Sequence, residues 1–173
     1  QEEIRGAFEC TVVDLPRSML VQHPHLIADI QVAVLVTEFT LAAARDMIRL
    51  LSWFKSNAPQ TQLILVANRV QPAAQLEISR KDFEGSIERR IDFVVPFEPR
   101  LASQAAKLGK PLAEAGKAAK SMSALSELAE KVAACAEAGD DPEARAKADA
   151  KGSSLLSKLM PPKKAKPAPK KKK

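Results

Sequence analysis

Three clusters in the 173-residue sequence carry side chains suited to chemistry. They are Asp14, ending an apolar run over residues 8–14; Asn68 with Arg69, ending another; and Pro96, Phe97 and Glu98, closing a third. A carboxylate at a strand end can hold a Mg2+-bound water or sense a terminal phosphate, because it accepts hydrogen bonds from metal-bound water without displacing it. An asparagine amide presents one acceptor and two donors in a fixed plane, which suits the N6/N7 edge of adenine. The backbone over 96–98 could then close over the other side of the base. Strand-end Asp and Asn also serve as plain turn formers that satisfy loop backbone, and the residue types alone leave that reading open.

What would bring the clusters together is the architecture that carries them. Residues 8–14 read as a buried strand stopped by Pro16, and residues 31–37, 62–69 and 92–96 read as three more. Their continuous rather than alternating apolarity implies burial on both faces, as in a parallel sheet. Between them, residues 18–29 are expected as a short helix or loop limited by Pro24. A helix is expected over 41–55, capped by Thr40, with Leu41, Ala44, Ile48 and Leu51 on one face and Arg45, Asp46 and Arg49 turned elsewhere. After a loop at 72–78, Ser79 and Asp82 can cap a short helix carrying Phe83 and Ile87. This alternation predicts a parallel α/β sheet with right-handed crossovers. The carboxyl ends of parallel strands point the same way, so clusters distant in sequence converge at one edge, where open α/β folds keep their ligands.

Two further helices follow. Glu98-Pro99 opens one, with proline in the first turn where its missing N–H costs nothing, and Leu108-Gly109-Lys110-Pro111 closes it. Residues 121–138 form an amphipathic helix with Leu125, Leu128, Val132 and Cys135 on the face that covers the sheet. Beyond Gly139-Asp140-Asp141-Pro142 the character changes. Residues 143–151 have only alanine to bury, and Leu155, Leu156, Leu159 and Met160 give one short apolar turn. Residues 161–173 consist of four prolines, seven lysines and two alanines, a composition expected to stay solvated and disordered.

The formal charge of +6 belongs to that tail, because the remaining 20 basic residues face 21 acidic ones. A nucleic-acid or anionic-membrane reading of the charge therefore applies to the last dozen residues only, where weak tethering or plain solubility is expected. Two cysteines outside any C-x-x-C pattern suit a reducing, cytoplasmic compartment. His23 and His25, flanking Pro24 with no further ligand nearby, read as structural or solvent-exposed rather than metal-binding, and no residue is expected to ligate a metal directly. Arg45 and Arg49 read as a solvated helix face, and Trp53 and Phe54 as packing residues. The chain starts with Gln1 in a polar stretch leading straight into a strand, which suggests that its natural beginning lies upstream.

Taken in order, Thr-Val-Val-Asp-Leu-Pro-Arg (11–17), Ile-Ala-Asp-Ile-Gln-Val-Ala-Val-Leu-Val-Thr-Glu (27–38), Thr-Leu-Ala-Ala-Ala-Arg-Asp (40–46), Leu-Val-Ala-Asn-Arg (65–69) and Val-Val-Pro-Phe-Glu-Pro (94–99) resemble the second half of MinD/ParA-type ATPases. The Asp-Leu-Pro-Arg form and the Thr-Leu-x-x-x-Arg-Asp helix start are most similar to the CpaE/TadZ pilus-assembly branch. The resemblance implies a doubly wound, P-loop-NTPase-like sheet that is incomplete at its N-terminus, with residues 1–138 as the carboxyl-terminal part of the ATPase domain, 139–160 as a weakly helical extension and 161–173 as the tail. It implies a nucleotide-dependent homodimer that uses ATP and Mg2+, sits at a cell pole or the inner-membrane face, and helps to localise a Flp or type IV pilus secretion machine. Carried over by position, Asp14 matches the aspartate of the second switch region, Asn68 the adenine-reading asparagine, and Pro96, Phe97 and Glu98 the loop beside the base. The family's deviant Walker A phosphate loop would precede residue 1. Gly109 to Ala118 does not replace it, since a phosphate loop needs Gly-x-x-x-x-Gly-Lys followed by Ser or Thr. The 173-residue chain is therefore expected to lack hydrolysis. A ParA-like partition factor, with the tail on DNA, and a non-catalytic scaffold that kept the fold are the other readings.

Overall fold

Strand-forming runs rich in Val, Ile and Leu, each followed by a helix with its own stop signal, set the course of the chain. A computed structural model describes residues 10–27, 30–116 and 119–137. The extension and lysine tail expected beyond residue 138 lie outside the described residues. The element order is α1 (Arg17–Gln22), a 3-10 turn (Pro24–Ile27), β1 (Val32–Thr37), α2 (Leu41–Asn57), β2 (Gln62–Val70), a 3-10 turn (Ala73–Gln75), α3 (Arg80–Ile87), β3 (Phe93–Pro96), α4 (Pro99–Leu108), α5 (Leu112–Ala115) and α6 (Lys120–Glu137). The three strands form one parallel sheet in the order β1-β2-β3. The short α5 has no signal in the sequence beyond Pro111 ahead of it.

Capping follows the side chains. The Thr40 hydroxyl accepts from the Ala43 N–H at 3.1 Å, and the Ser79 hydroxyl accepts from the Asp82 N–H at 3.1 Å, each satisfying one orphan donor of a first turn. Gly109 ends α4 at φ 62°, where a residue without Cβ is favoured.

The sheet has two differently covered faces. On one, α2 and α3 bury Ala33, Leu35, Leu65 and Ala67 together with Met47, Phe54 and Phe83, and Phe39 meets Phe83 edge-on at 5.3 Å. On the other, Leu125, Leu128 and Val132 of α6 pack on Ile64, Val66 and Val95. The central strand β2 is thus buried on both sides over Ile64, Leu65, Val66 and Ala67, as its continuous apolarity predicts.

The same prediction is overturned for β1, whose burial alternates. Val36 is 62% exposed and Val34 is exposed as well, because α6 lies across β2 and β3 and leaves this face of β1 largely uncovered. The α2 stripe is also rotated from expectation. Ala44, Met47 and Phe54 are buried, whereas Leu41 and Ile48 face outward, because the face directed at the sheet is centred one position round the helix.

The entry to β3 is pinned by charge-assisted bonds. Asp92 donates its N–H to the Leu65 carbonyl and accepts the Leu65 N–H on its side chain at 2.8 Å. Glu84 accepts from Arg80 Nε at 2.8 Å and from the Ile91 N–H at 2.9 Å. Burial alone pushes the Glu84 carboxyl up. The Ile91 N–H and the Arg80 guanidinium, with a smaller contribution from Arg90, outweigh it and hold the group below its ordinary value.

Candidate functional site at the carboxyl edge of the sheet

At the end of β2 the ladder changes. Ala67 pairs with Val94 and Val70 with Pro96, so Asn68 and Arg69 occupy the span that Val95 alone covers on β3, the two-against-one count of a β-bulge. Arg69 adopts φ 53°. A non-glycine residue in the left-handed region costs about 1–2 kcal/mol and such outliers gather at ligand sites. The Arg69 N–H donates to Asn68 Oδ1 at 2.9 Å. This local bond fixes the amide by one lone pair of its oxygen. Both Nδ2 donors carry no hydrogen bond to the described residues, and the second lone pair of Oδ1 stays available. Across the edge the Arg69 guanidinium lies 3.8 Å from the Glu38 carboxylate just beyond β1, an exposed pair of little energetic weight.

The 96–98 loop abuts this bulge. Phe97 donates its N–H to the Val70 carbonyl at 2.9 Å, extending the β2–β3 pairing past the strand end. Its ring is 45% exposed. Glu98 opens α4 through its carbonyl, which accepts from the Ala102 N–H at 3.1 Å. Its carboxylate does not cap the helix and instead accepts the hydroxyl proton of Ser121, a 4% exposed residue in the first turn of α6. Asn68, Pro96, Phe97 and Glu98 are therefore brought to one corner of the sheet.

Asp14 does not share that corner through any strand. Residues 10–16 form no regular structure, Asp14 is exposed, and Val12 and Val13 are 83% and 70% exposed; Phe8 and Glu9 of the expected strand lie outside the described residues. Among the described residues none pairs with residues 10–14, and an unpaired segment neither satisfies its ladder bonds nor buries its side chains. Its end is nevertheless held in place. Leu15 packs against the core cluster that holds Leu35, Met47 and Phe54, and Arg17 forms an ion pair with Asp46 in the second turn of α2.

The bulge and the strained Arg69 had no sequence signal beyond an asparagine at a strand end. Ser121 had no sequence signal beyond its place at the start of the helix expected over 121–138. His23 and His25 meet edge-on at 5.7 Å, and among the described residues no group of three or more His, Cys, Asp or Glu is placed to hold a metal ion. Among the same residues no helix is long and apolar enough to cross a membrane.

The donor set at Asn68 and the exposed ring of Phe97 fit a planar, hydrogen-bonding base. The sequence offers no Gly-x-x-x-x-Gly-Lys-Ser/Thr loop to fit phosphates.

No protein-family model matches the chain, and no curated protein matches it. Solved structures do. The MinD cell division protein of Aquifex aeolicus is similar over 92% of this chain and 59% of its own length, with 17% identity and a TM-score of 0.58. The MinC:MinD cell division protein complex of the same organism gives 17% identity, a TM-score of 0.55 and coverage of 94% and 59%. A ParA family ATPase from Chlorobium tepidum TLS gives 19% identity, a TM-score of 0.50 and coverage of 57% and 40%. The chain thus spans well under two thirds of each of these structures. Its three-stranded parallel sheet and flanking helices have the MinD/ParA-type, P-loop-NTPase-like fold.

Proposed function

We propose that this chain is the base-holding, carboxyl-terminal part of a MinD/ParA-like ATPase of the CpaE/TadZ type, which acts in Flp or type IV pilus assembly and in polar placement of the secretion machinery. The observation that carries the nucleotide part is the bulge at Asn68. It places Asn68, whose Nδ2 donors carry no hydrogen bond to the described residues, at the strand end that Val70 joins to the exposed Phe97, on the carboxyl edge of a parallel sheet, the position where such sheets take ligands. The Asp-Leu-Pro-Arg form at 14–17 and the Thr-Leu-x-x-x-Arg-Asp helix start at 40–46 support the pilus branch.

In this reading Asn68 donates to a ring nitrogen of adenine and accepts from its exocyclic amine, while the 96–98 loop bounds the base. ATP with Mg2+ supplies the phosphoryl chemistry when bound, and its phosphates are held by a loop that this sequence does not contain. Asp14 is the switch-region carboxylate, the active species is a homodimer, its partners are pilus-machinery proteins, and the lysine tail adds weak contact with DNA or anionic lipid.

Tagging the full gene product fluorescently in its own cells tests the cellular role. A focus at one pole, with pili lost on gene deletion, supports it. A signal that follows the nucleoid, with plasmid or chromosome loss on deletion, supports a partition factor instead.

A further inference from the structure

Ser121 is one of two buried polar residues among those described, the other being Thr37. A buried hydroxyl is retained where its bond is worth its desolvation. Here the bond goes to the carboxylate of Glu98, a charge-assisted acceptor worth roughly twice a neutral one. Glu98 follows directly on Phe97, whose N–H is held by Val70, and Val70 closes the bulge that carries Asn68.

The contacts therefore form one continuous line. It runs from Asn68 through Val70, Phe97 and Glu98 to Ser121, and from there down α6 onto Ile64, Val66 and Val95. The other end of β3 has a looser tie to the same helix, with Lys131 Nζ 3.8 Å from the Asp92 carboxylate.

We propose that Ser121 is a positioning residue for the base-side loop: by holding Glu98 it fixes the 96–98 backbone against the end of β2 and couples the docking of α6 to that corner of the site. The inference rests on the base-binding reading for its consequence but not for its geometry, which is the bond from Ser121 to Glu98. Glu98 thereby acts through its bond to α6 rather than by touching the base. Loosening the clamp lets the loop move relative to Asn68, and the loss falls on recognition of the base, not on the sheet.

The test uses the 173-residue chain and three variants, Ser121→Ala, Ser121→Thr and Lys131→Met. Amide hydrogen exchange is measured without ligand, and adenosine and guanosine affinities are measured by NMR titration. Ser121→Ala is expected to accelerate exchange at Phe97 about tenfold, the effect of one lost hydrogen bond of ordinary net strength, and to reduce the preference for adenosine over guanosine. Ser121→Thr, which keeps the hydroxyl, is expected to restore both, and Lys131→Met to leave Phe97 as in the wild type. Unchanged Phe97 exchange in Ser121→Ala would overturn the clamp, as would an equal acceleration in Lys131→Met, which would assign the effect to α6 docking in general. A wild-type chain that binds neither nucleoside while Phe97 still responds to Ser121→Ala refutes base binding and leaves the clamp standing.

Discussion

The β3 side and the β1 side of this sheet are built from equally apolar strands, yet one is closed and the other open. On the β3 side α6 covers Ile64, Val66 and Val95 and is fastened at both ends of the strand, by Ser121 to Glu98 and by Lys131 to Asp92. On the β1 side Val34 and Val36 are exposed on the same face, and the apolar run at residues 10–14 pairs with no strand among the described residues. A strand is thus positioned by what pairs with it and covers it, not by its own apolarity. The two halves of the expected nucleotide site inherit this difference. Asn68, Pro96, Phe97 and Glu98 lie at the ends of the paired strands β2 and β3, while Asp14 lies in a segment with no ladder partner among the described residues.

Truncation of the two sides should reveal the asymmetry in stability. The largest effect is expected for Ile64→Ala, since Ile64 is fully buried beneath α6. A cost of about 3–4 kcal/mol, read by chemical denaturation, supports the closed side as a true core, and a cost below about 1 kcal/mol breaks the comparison.

A smaller effect is expected for Glu84→Gln, which weakens the bonds to Arg80 and Ile91 that hold α3 at the entry to β3. The loss should be about 1–2 kcal/mol at neutral pH. Because the folded-state pKa of Glu84 is lowered, its contribution is present above the ordinary glutamate value and is lost as pH falls through the folded one. Wild type and variant should therefore converge once the pH has fallen below the lowered folded value, and a difference that persists there contradicts the assignment. The smallest effect is expected at Val36→Thr on the open face, within about 0.5 kcal/mol. A loss as large as that of Ile64→Ala would show that the two sides are equally closed.

Local signals were legible where they did not depend on partners. Thr40 and Ser79 cap the helices they were expected to cap, Gly109 and Pro111 bracket the end of α4, and Leu125, Leu128 and Val132 cover the sheet as their spacing implies. The strand at residues 8–14 was not legible in this sense, because a strand exists only with its neighbour and no ladder partner meets residues 10–14. The same cause explains β1, whose apolar run predicted two covered faces and received one. Asn68 and the 96–98 loop lie at strand ends, as their places in the sequence imply. The bulge, the left-handed Arg69 and the bond from Ser121 to Glu98 arise from register and tertiary packing, which a single sequence does not display.

The central claim is that the bulge at the end of β2 presents Asn68 to a purine base. It is tested most directly by titrating adenosine into the 15N-labelled chain and into its Asn68→Ala variant. The account predicts shifts at Asn68, Arg69 and Phe97 in the wild type and an affinity about tenfold lower in the variant, with the circular dichroism spectrum unchanged. Equal affinity in the two proteins would contradict it and remove Asn68 from the site.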